Sequence, residues 1–230
     1  MPLQIFVEDE LSEAYEVLAW RGLGRAPTRN RRELKSSRVQ IGELISFDGL
    51  LDLTSRSVKS GYDCVIFVLD QEVTSTSPDR PVHLANFKNA FVELCNHLSQ
   101  LSASEPLSRA KVTRIVSQRC LEGWLLSDPQ AIVDAMRGGR GVQHTPGGAN
   151  TEDLAPTQAC EQIAHHIRQV GIQLSRRDLQ QTRANNVKRL GRQIADKVVP
   201  QRARRFNRSL AYFFDMVQCQ TGGCDKPCPE

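Results

Sequence analysis

The stretch Asp63-Cys-Val-Ile-Phe-Val-Leu-Asp70-Gln-Glu72 decides how the rest of the chain is read. Residues 64–69 are apolar without a break. A short run of Val, Ile, Phe and Leu bounded by polar residues is the pattern of a strand covered on both faces of a parallel sheet. Two carboxylates separated by one residue follow at once. In open α/β sheets, ligands bind in the crevice beyond the carboxyl ends of the strands, so acids at this point are placed for chemistry. Side chains alternate along a strand. If extended geometry persists, Asp70 and Glu72 therefore face the same way, two hard oxygen ligands side by side. Taken alone, the pair reads better as turn residues that close a strand.

The first residues of the chain change that balance. Leu3-Gln-Ile-Phe-Val7 is a second short apolar strand, and it runs into Glu8-Asp9-Glu10. Leu11, Ala14, Tyr15, Val17 and Leu18 then recur at the spacing of one helical face, with acids in the first turn where the helix dipole favours them. Two strand ends carrying acids in one sheet can supply a shared divalent-metal site. A helix from Phe47 to Gly61, carrying Leu50, Leu51, Leu53 and Val58, brings the chain to the central strand by a crossover. Lys111–Ser117 reads as another strand. The segment Cys120-Leu-Glu-Gly-Trp-Leu-Leu-Ser-Asp128 follows it. There Glu122 stands among apolar residues, where an unpaired carboxylate is costly to bury. A metal shared with Glu8 and Asp70 would satisfy it, and so would a salt bridge to Arg114 or Arg119. Asp128 reads as the cap of a helix opened by Pro129, with a site role as the alternative.

These acids resemble the Toprim domain of topoisomerases, bacterial primases and OLD-family nucleases, which carries a Glu after its first strand and Asp-x-Asp after its third. The matching positions are Glu8, and Asp70 with Glu72; the departure is Glu72 in place of Asp. Glu122-Gly-Trp-Leu-Leu-Ser-Asp128 is similar to the Glu-x-Trp-Leu-Leu-x-Asp segment of a Toprim-related bacterial family, and Phe206-Asn-Arg-Ser-Leu-Ala-Tyr-Phe-Phe214 is similar to its closing helix. Members of that family are often encoded beside AAA-type ATPases in mobile or defence-associated loci. The resemblance implies an α/β fold with an open, mostly parallel sheet flanked by helices, and Mg²⁺- or Mn²⁺-dependent phosphodiester hydrolysis of DNA or RNA, in defence or repair with an ATPase partner. Glu8, Asp70 and Glu72 would be catalytic, and the same three with Glu122 would hold the metal. The alternative from another class is a non-catalytic Toprim-shaped adaptor, or nucleic-acid-binding module, for such an ATPase. A third is phosphoryl transfer on nucleotides, as in primase.

Composition sets outer bounds. At 230 residues, 40% hydrophobic and 24% charged, the chain can bury a core as one domain with an extension. No apolar run approaches the ~18–20 residues of a membrane span. The chain opens on a strand without a signal-like region, so a cytoplasmic location is expected. There is no G-x4-G-K-[ST] motif, and any nucleotide hydrolysis is expected from a partner. Cys64, Cys95, Cys120 and Cys160 sit in apolar or helical contexts and read as free thiols. Cys219, Cys224 and Cys228 lack a nearby fourth zinc ligand, which favours a disordered tail over a zinc knuckle.

The remaining segments divide the chain into residues 1–136 as the Toprim-like domain, 137–218 as a linker and basic helical extension, and 219–230 as the tail. Residues 20–38 are polar and basic, and read as a loop ending in a short strand near residues 39–41. The prolines of Thr74-Ser-Thr-Ser-Pro-Asp-Arg-Pro81 hold it as a surface loop; Arg80 and His83 are its candidates for substrate contact. Residues 85–101 form an amphipathic helix, 138–150 a glycine-rich linker, and 156–170 a helix in which the adjacent His165 and His166 cannot form a zinc pair. Between 176 and 208 the chain is strongly basic and helical, with Asp178 and Asp196 as its only acids. Arg183, Lys188, Arg189, Arg192, Arg204, Arg205 and Arg208 are expected to track a phosphate backbone. Phe206, Leu210, Phe213 and Phe214 share one helical stripe and read as core.

Overall fold

A computed structural model of the chain describes residues 2–27, 33–71, 79–118, 121–137, 150–152, 154–169 and 185–222. Four strands form its sheet: β1 (Leu3–Val7), β2 (Leu34–Arg38), β3 (Cys64–Asp70) and β4 (Lys111–Ser117). Their order is β2-β1-β3-β4, and every pairing is parallel. In register, Val7 lies beside Arg38 on one side and Val68 on the other, while Asp70 lies beside Ser117. The protein is thus α/β, with an open parallel sheet flanked by helices.

The uninterrupted apolar run of β3 is accounted for by burial on both faces. Cys64, Ile66 and Val68 enter one hydrophobic cluster, and Val65, Phe67 and Leu69 enter the other. Each such side chain withdraws from water a surface worth roughly 1.5–3 kcal/mol. The first cluster is covered by α1 (Ser12–Gly22), α5 (Leu121–Leu126), α6 (Pro129–Arg137), α7 (Pro156–Gln169), α8 (Asn185–Ala195), α9 (Pro200–Ala203) and α10 (Arg208–Gly222). The second is covered by α2 (Ile41–Leu44), α3 (Phe47–Lys59) and α4 (Arg80–Gln100). From β1 the chain crosses to β2 over the first face, and from β2 it returns past β1 to β3 over the second. The reversal of direction comes with the change of face, as the single hand of parallel crossovers requires. Gly61 ends the return helix with φ +87°, a conformation that strains residues bearing a Cβ.

Two expectations from sequence are corrected here. The second strand is Leu34–Arg38, not residues 39–41. As an edge strand it needs one paired side only, and its polar, basic residues keep the other side from pairing with a second chain. Helix α4 begins at Arg80, so Arg80 and Pro81 belong to its first turn rather than to a loop. Proline is tolerated there because the first helical N–H groups have no intrahelical acceptor.

The basic C-terminal helices share the core of the sheet. Ile194, Val198, Leu210, Phe213, Phe214 and Val217 pack in the same cluster as Leu3, Ile5 and Val68. Phe206 is only partly buried. Helix α10 runs on to Gly222, so Cys219 lies inside a helix rather than in a tail; Cys224 and Cys228 lie outside the described residues.

Asp128 does not use its carboxylate to cap α6. The side chain, 1% exposed, accepts from the Val199 N–H at 2.8 Å and from Arg202 Nε and Nη2 at 2.8 and 2.9 Å. It therefore pins the turn between α8 and α9 to α6. Breaking a buried pair by removing one partner costs about 3–5 kcal/mol. Arg202 is 42% exposed and Val199 still donates, so Arg202→Met is expected to cost less, roughly 2 kcal/mol. The urea midpoint would report it, and a loss below about 0.5 kcal/mol would contradict the assignment.

Candidate functional site

The strand order places a topological switch point between β1 and β3. Beyond β1 the chain leaves for the first face through α1; beyond β3 it goes on to α4 on the second. The connections diverge at the carboxyl ends of these two strands, and such a switch point is the crevice where open α/β sheets bind ligands. Glu8 and Asp9 follow β1 directly, and Asp70 ends β3.

Alternation along the strands decides where each acid points. Val68 belongs to the first cluster, so Asp70 projects toward that face, and there it accepts a hydrogen bond from the Tyr15 hydroxyl of α1 at 3.3 Å. Burial pushes the Asp70 carboxyl well above the ordinary carboxylate range. The negative charges of Asp9, Glu122 and Glu8 push it further, in that order, and the Tyr15 hydrogen bond opposes them. Glu122, in the first turn of α5, reaches this crevice from the same face. Arg114, one of its two candidate salt-bridge partners, lies over the Phe87 ring at 5.8 Å on the opposite face. Arg119, the other, lies outside the described residues, as does Glu72.

Glu8 is held by an arginine. Both its oxygens are engaged by Arg80: Nη1 donates to Oε2 at 2.6 Å, and Nη2 to Oε1 at 2.7 Å. The Arg80 side chain is 8% exposed and that of Glu8 26%. Asp9 was not singled out from sequence, yet it is the strongest of the charges acting on Asp70, and its Oδ1 accepts from the Leu11 N–H at 2.7 Å. Strand parity could have found it. Asp9 has the parity of Val7, whose side chain lies in the first cluster, whereas Glu8 has the parity of Phe6 in the second.

All the acids gathered here are carboxylates, and a hard cation prefers oxygen. Burial first, and then their mutual repulsion, raises the pKa of Asp70, and the repulsion is what such a cation would relieve. In donor chemistry the residues therefore fit Mg²⁺ or Mn²⁺. Among the described residues, however, no three of them already converge as a ligand set.

Among the described residues, two of the basic side chains expected to track a phosphate backbone are engaged with acids. Arg192 on α8 pairs with Glu13 at 2.9 Å, and Arg204 pairs with Asp215 and lies over the Phe214 ring at 5.7 Å. Arg205 and Arg208 are exposed, and the Arg208 backbone N–H donates to Glu152. Lys188 and Arg189 fall on α8 at positions whose side chains are not described, and Arg183 lies outside the described residues. Acids from other segments thus engage part of this basic stretch. Among the described residues, no helix is long and apolar enough to cross a membrane.

Tyr15 is held in turn by Trp124. Their rings meet edge to face at 5.6 Å, and Trp124 packs on Phe213 of α10 at 5.0 Å. Trp124 Nε1 donates to Ser209 Oγ at 2.8 Å, and Ser209 donates to Asn207 Oδ1 at 2.9 Å. The partner of Asp70 thereby rests on the C-terminal helix. Compared with family models, curated proteins and solved structures, the chain gives no match in any of the three.

Proposed function

We propose that the protein is a metal-dependent phosphodiester hydrolase of Toprim-like design, acting on DNA or RNA. The observation that carries this reading is the gathering of Glu8, Asp9, Asp70 and Glu122 at the β1/β3 switch point, around a carboxyl group that burial and like charge hold reluctant to ionise. Asp70 and Glu122, with Glu72, and Glu8 or Asp9 from β1, would hold Mg²⁺ or Mn²⁺. When bound, the metal would polarise the phosphodiester and stabilise the leaving oxygen. Tyr15 orients Asp70 through its hydroxyl. Glu8, once released from Arg80, has the chemistry of a base that takes the proton of the attacking water. The basic C-terminal helices would hold the nucleic-acid backbone without reading its sequence.

One observation favours the second reading, a Toprim-shaped adaptor for an AAA-type ATPase: both oxygens of Glu8 are occupied by Arg80. The test is incubation of the purified protein with labelled single- and double-stranded DNA and with RNA, in Mg²⁺, Mn²⁺ or EDTA. Cleavage in metal and none in EDTA, lost in Asp70→Asn and Glu8→Gln, is the expected result. Cleavage that persists in both variants would sink the assignment. Its absence under every condition, even with the ATPase added, would leave the adaptor reading.

A further inference from the structure

The Glu8–Arg80 pair has a geometry that serves a substrate as well as it serves the fold. A planar guanidinium presents parallel N–H groups, and these match a carboxylate or a phosphate equally well. Here both N–H···O bonds are short, and Arg80 is 7% exposed, held in the first turn of a helix of 21 residues. The partner it grips is one of the acids of the switch-point crevice. A phosphodiester anion entering a crevice lined by Glu8, Asp9, Asp70 and Glu122 meets repulsion from each of them, and Arg80 offers a fork of opposite charge at the same place.

We propose that Arg80 is the phosphate-binding residue of the site, and that Glu8 occupies its guanidinium until a phosphodiester oxyanion replaces it. The inference rests on the hydrolase reading for its substrate class, but it makes a separate claim about binding. It also reconciles the two positions of Glu8: engaged with Arg80 at rest, and free to serve as base or ligand only when substrate has arrived. An empty site would then lack its base, and hydrolysis would be coupled to occupancy. No covalent bond forms or breaks in the exchange. One anion leaves the fork and another enters it.

Bis(para-nitrophenyl) phosphate is a suitable probe, since it is too small to span the basic C-terminal helices. Its affinity is measured by calorimetry in EDTA, and its hydrolysis in Mn²⁺ by nitrophenolate release. Glu8→Gln removes the competing charge and keeps a neutral hydrogen bond, so it is expected to bind the diester about tenfold more tightly than wild type in EDTA. Adding Arg80→Gln to that variant should abolish the gain. Adding Arg80→Lys instead, which keeps the charge and loses the fork, should retain at most a small part of it. Unchanged affinity in Glu8→Gln, or a gain that survives Arg80→Gln, would overturn the proposal and leave the pair as a tie between α4 and β1. Hydrolysis by wild type without tightening in Glu8→Gln would remove this inference alone. Tightening through Arg80 without hydrolysis would support it and count against the hydrolase reading.

Discussion

Trp124→Ala is expected to lower the stability of the protein by about 3–5 kcal/mol, the range for truncating a fully buried large aromatic side chain. Trp124 is wholly buried between Tyr15 and Phe213 and makes a hydrogen bond to Ser209. The substitution removes both ring contacts and opens a void where α1, α5 and α10 meet. Against a typical total stability of about 5–15 kcal/mol, such a loss takes a large share. Trp124→Phe keeps most of the volume and gives up the bond to Ser209, for an expected loss nearer 1–2 kcal/mol. Urea unfolding of both variants checks the ranking. If Trp124→Ala costs less than about 1 kcal/mol, the tryptophan is not the joint between the C-terminal helix and Tyr15, the partner of Asp70.

Asp70→Asn is expected to move activity and stability in opposite directions. Metal-dependent hydrolysis should fall by more than about 100-fold, because loss of even an outer partner of a metal ligand typically costs 10–100-fold. Stability in EDTA should rise, and the pH dependence follows from the direction of the shift. In the unfolded chain Asp70 releases its proton near the ordinary value of about 3.9. In the fold its pKa is raised, first by burial and then by Asp9, Glu122 and Glu8. Between those two values the native state holds a proton that the unfolded state has lost, so stability declines as pH rises through that window and stays at the lower level above it. Asparagine cannot ionise, and its Oδ1 can still accept from Tyr15. The wild-type and Asp70→Asn melting curves should coincide below the window and separate above it, with the variant more stable. A functional site that costs stability gives this pattern. A less stable Asp70→Asn at neutral pH would contradict it.

Much of the architecture is legible in the residues themselves. The runs Leu3–Val7 and Cys64–Asp70 are apolar because both faces of β1 and β3 are covered, and acids directly beyond them mark the switch point. Leu34-Lys-Ser-Ser-Arg38 gives no such signal, since an edge strand paired on one side can be polar. Arg80 reads as part of a loop because Pro81 suggests a break, and the acceptance of proline in a first helical turn is what hides the helix. The partners of the C-terminal basic residues are invisible for another reason. Glu13 and Asp128 lie far away in sequence from Arg192 and Arg202, and only the packing of α8 and α9 against the sheet's first face brings them together. Asp9 was within reach of a parity argument. Glu8 holds the motif position, while Asp9, two residues after Val7, is the charge that acts most strongly on Asp70.

The central claim is that the acids at the β1/β3 crevice hold a divalent cation, and titration of Mn²⁺ into the metal-free protein by calorimetry tests it most directly, with Asp70→Asn as the control. Saturable binding by the wild type, accompanied by a rise in melting temperature and lost in Asp70→Asn, is the predicted result. No binding by the wild type, or equal binding by Asp70→Asn, would contradict it.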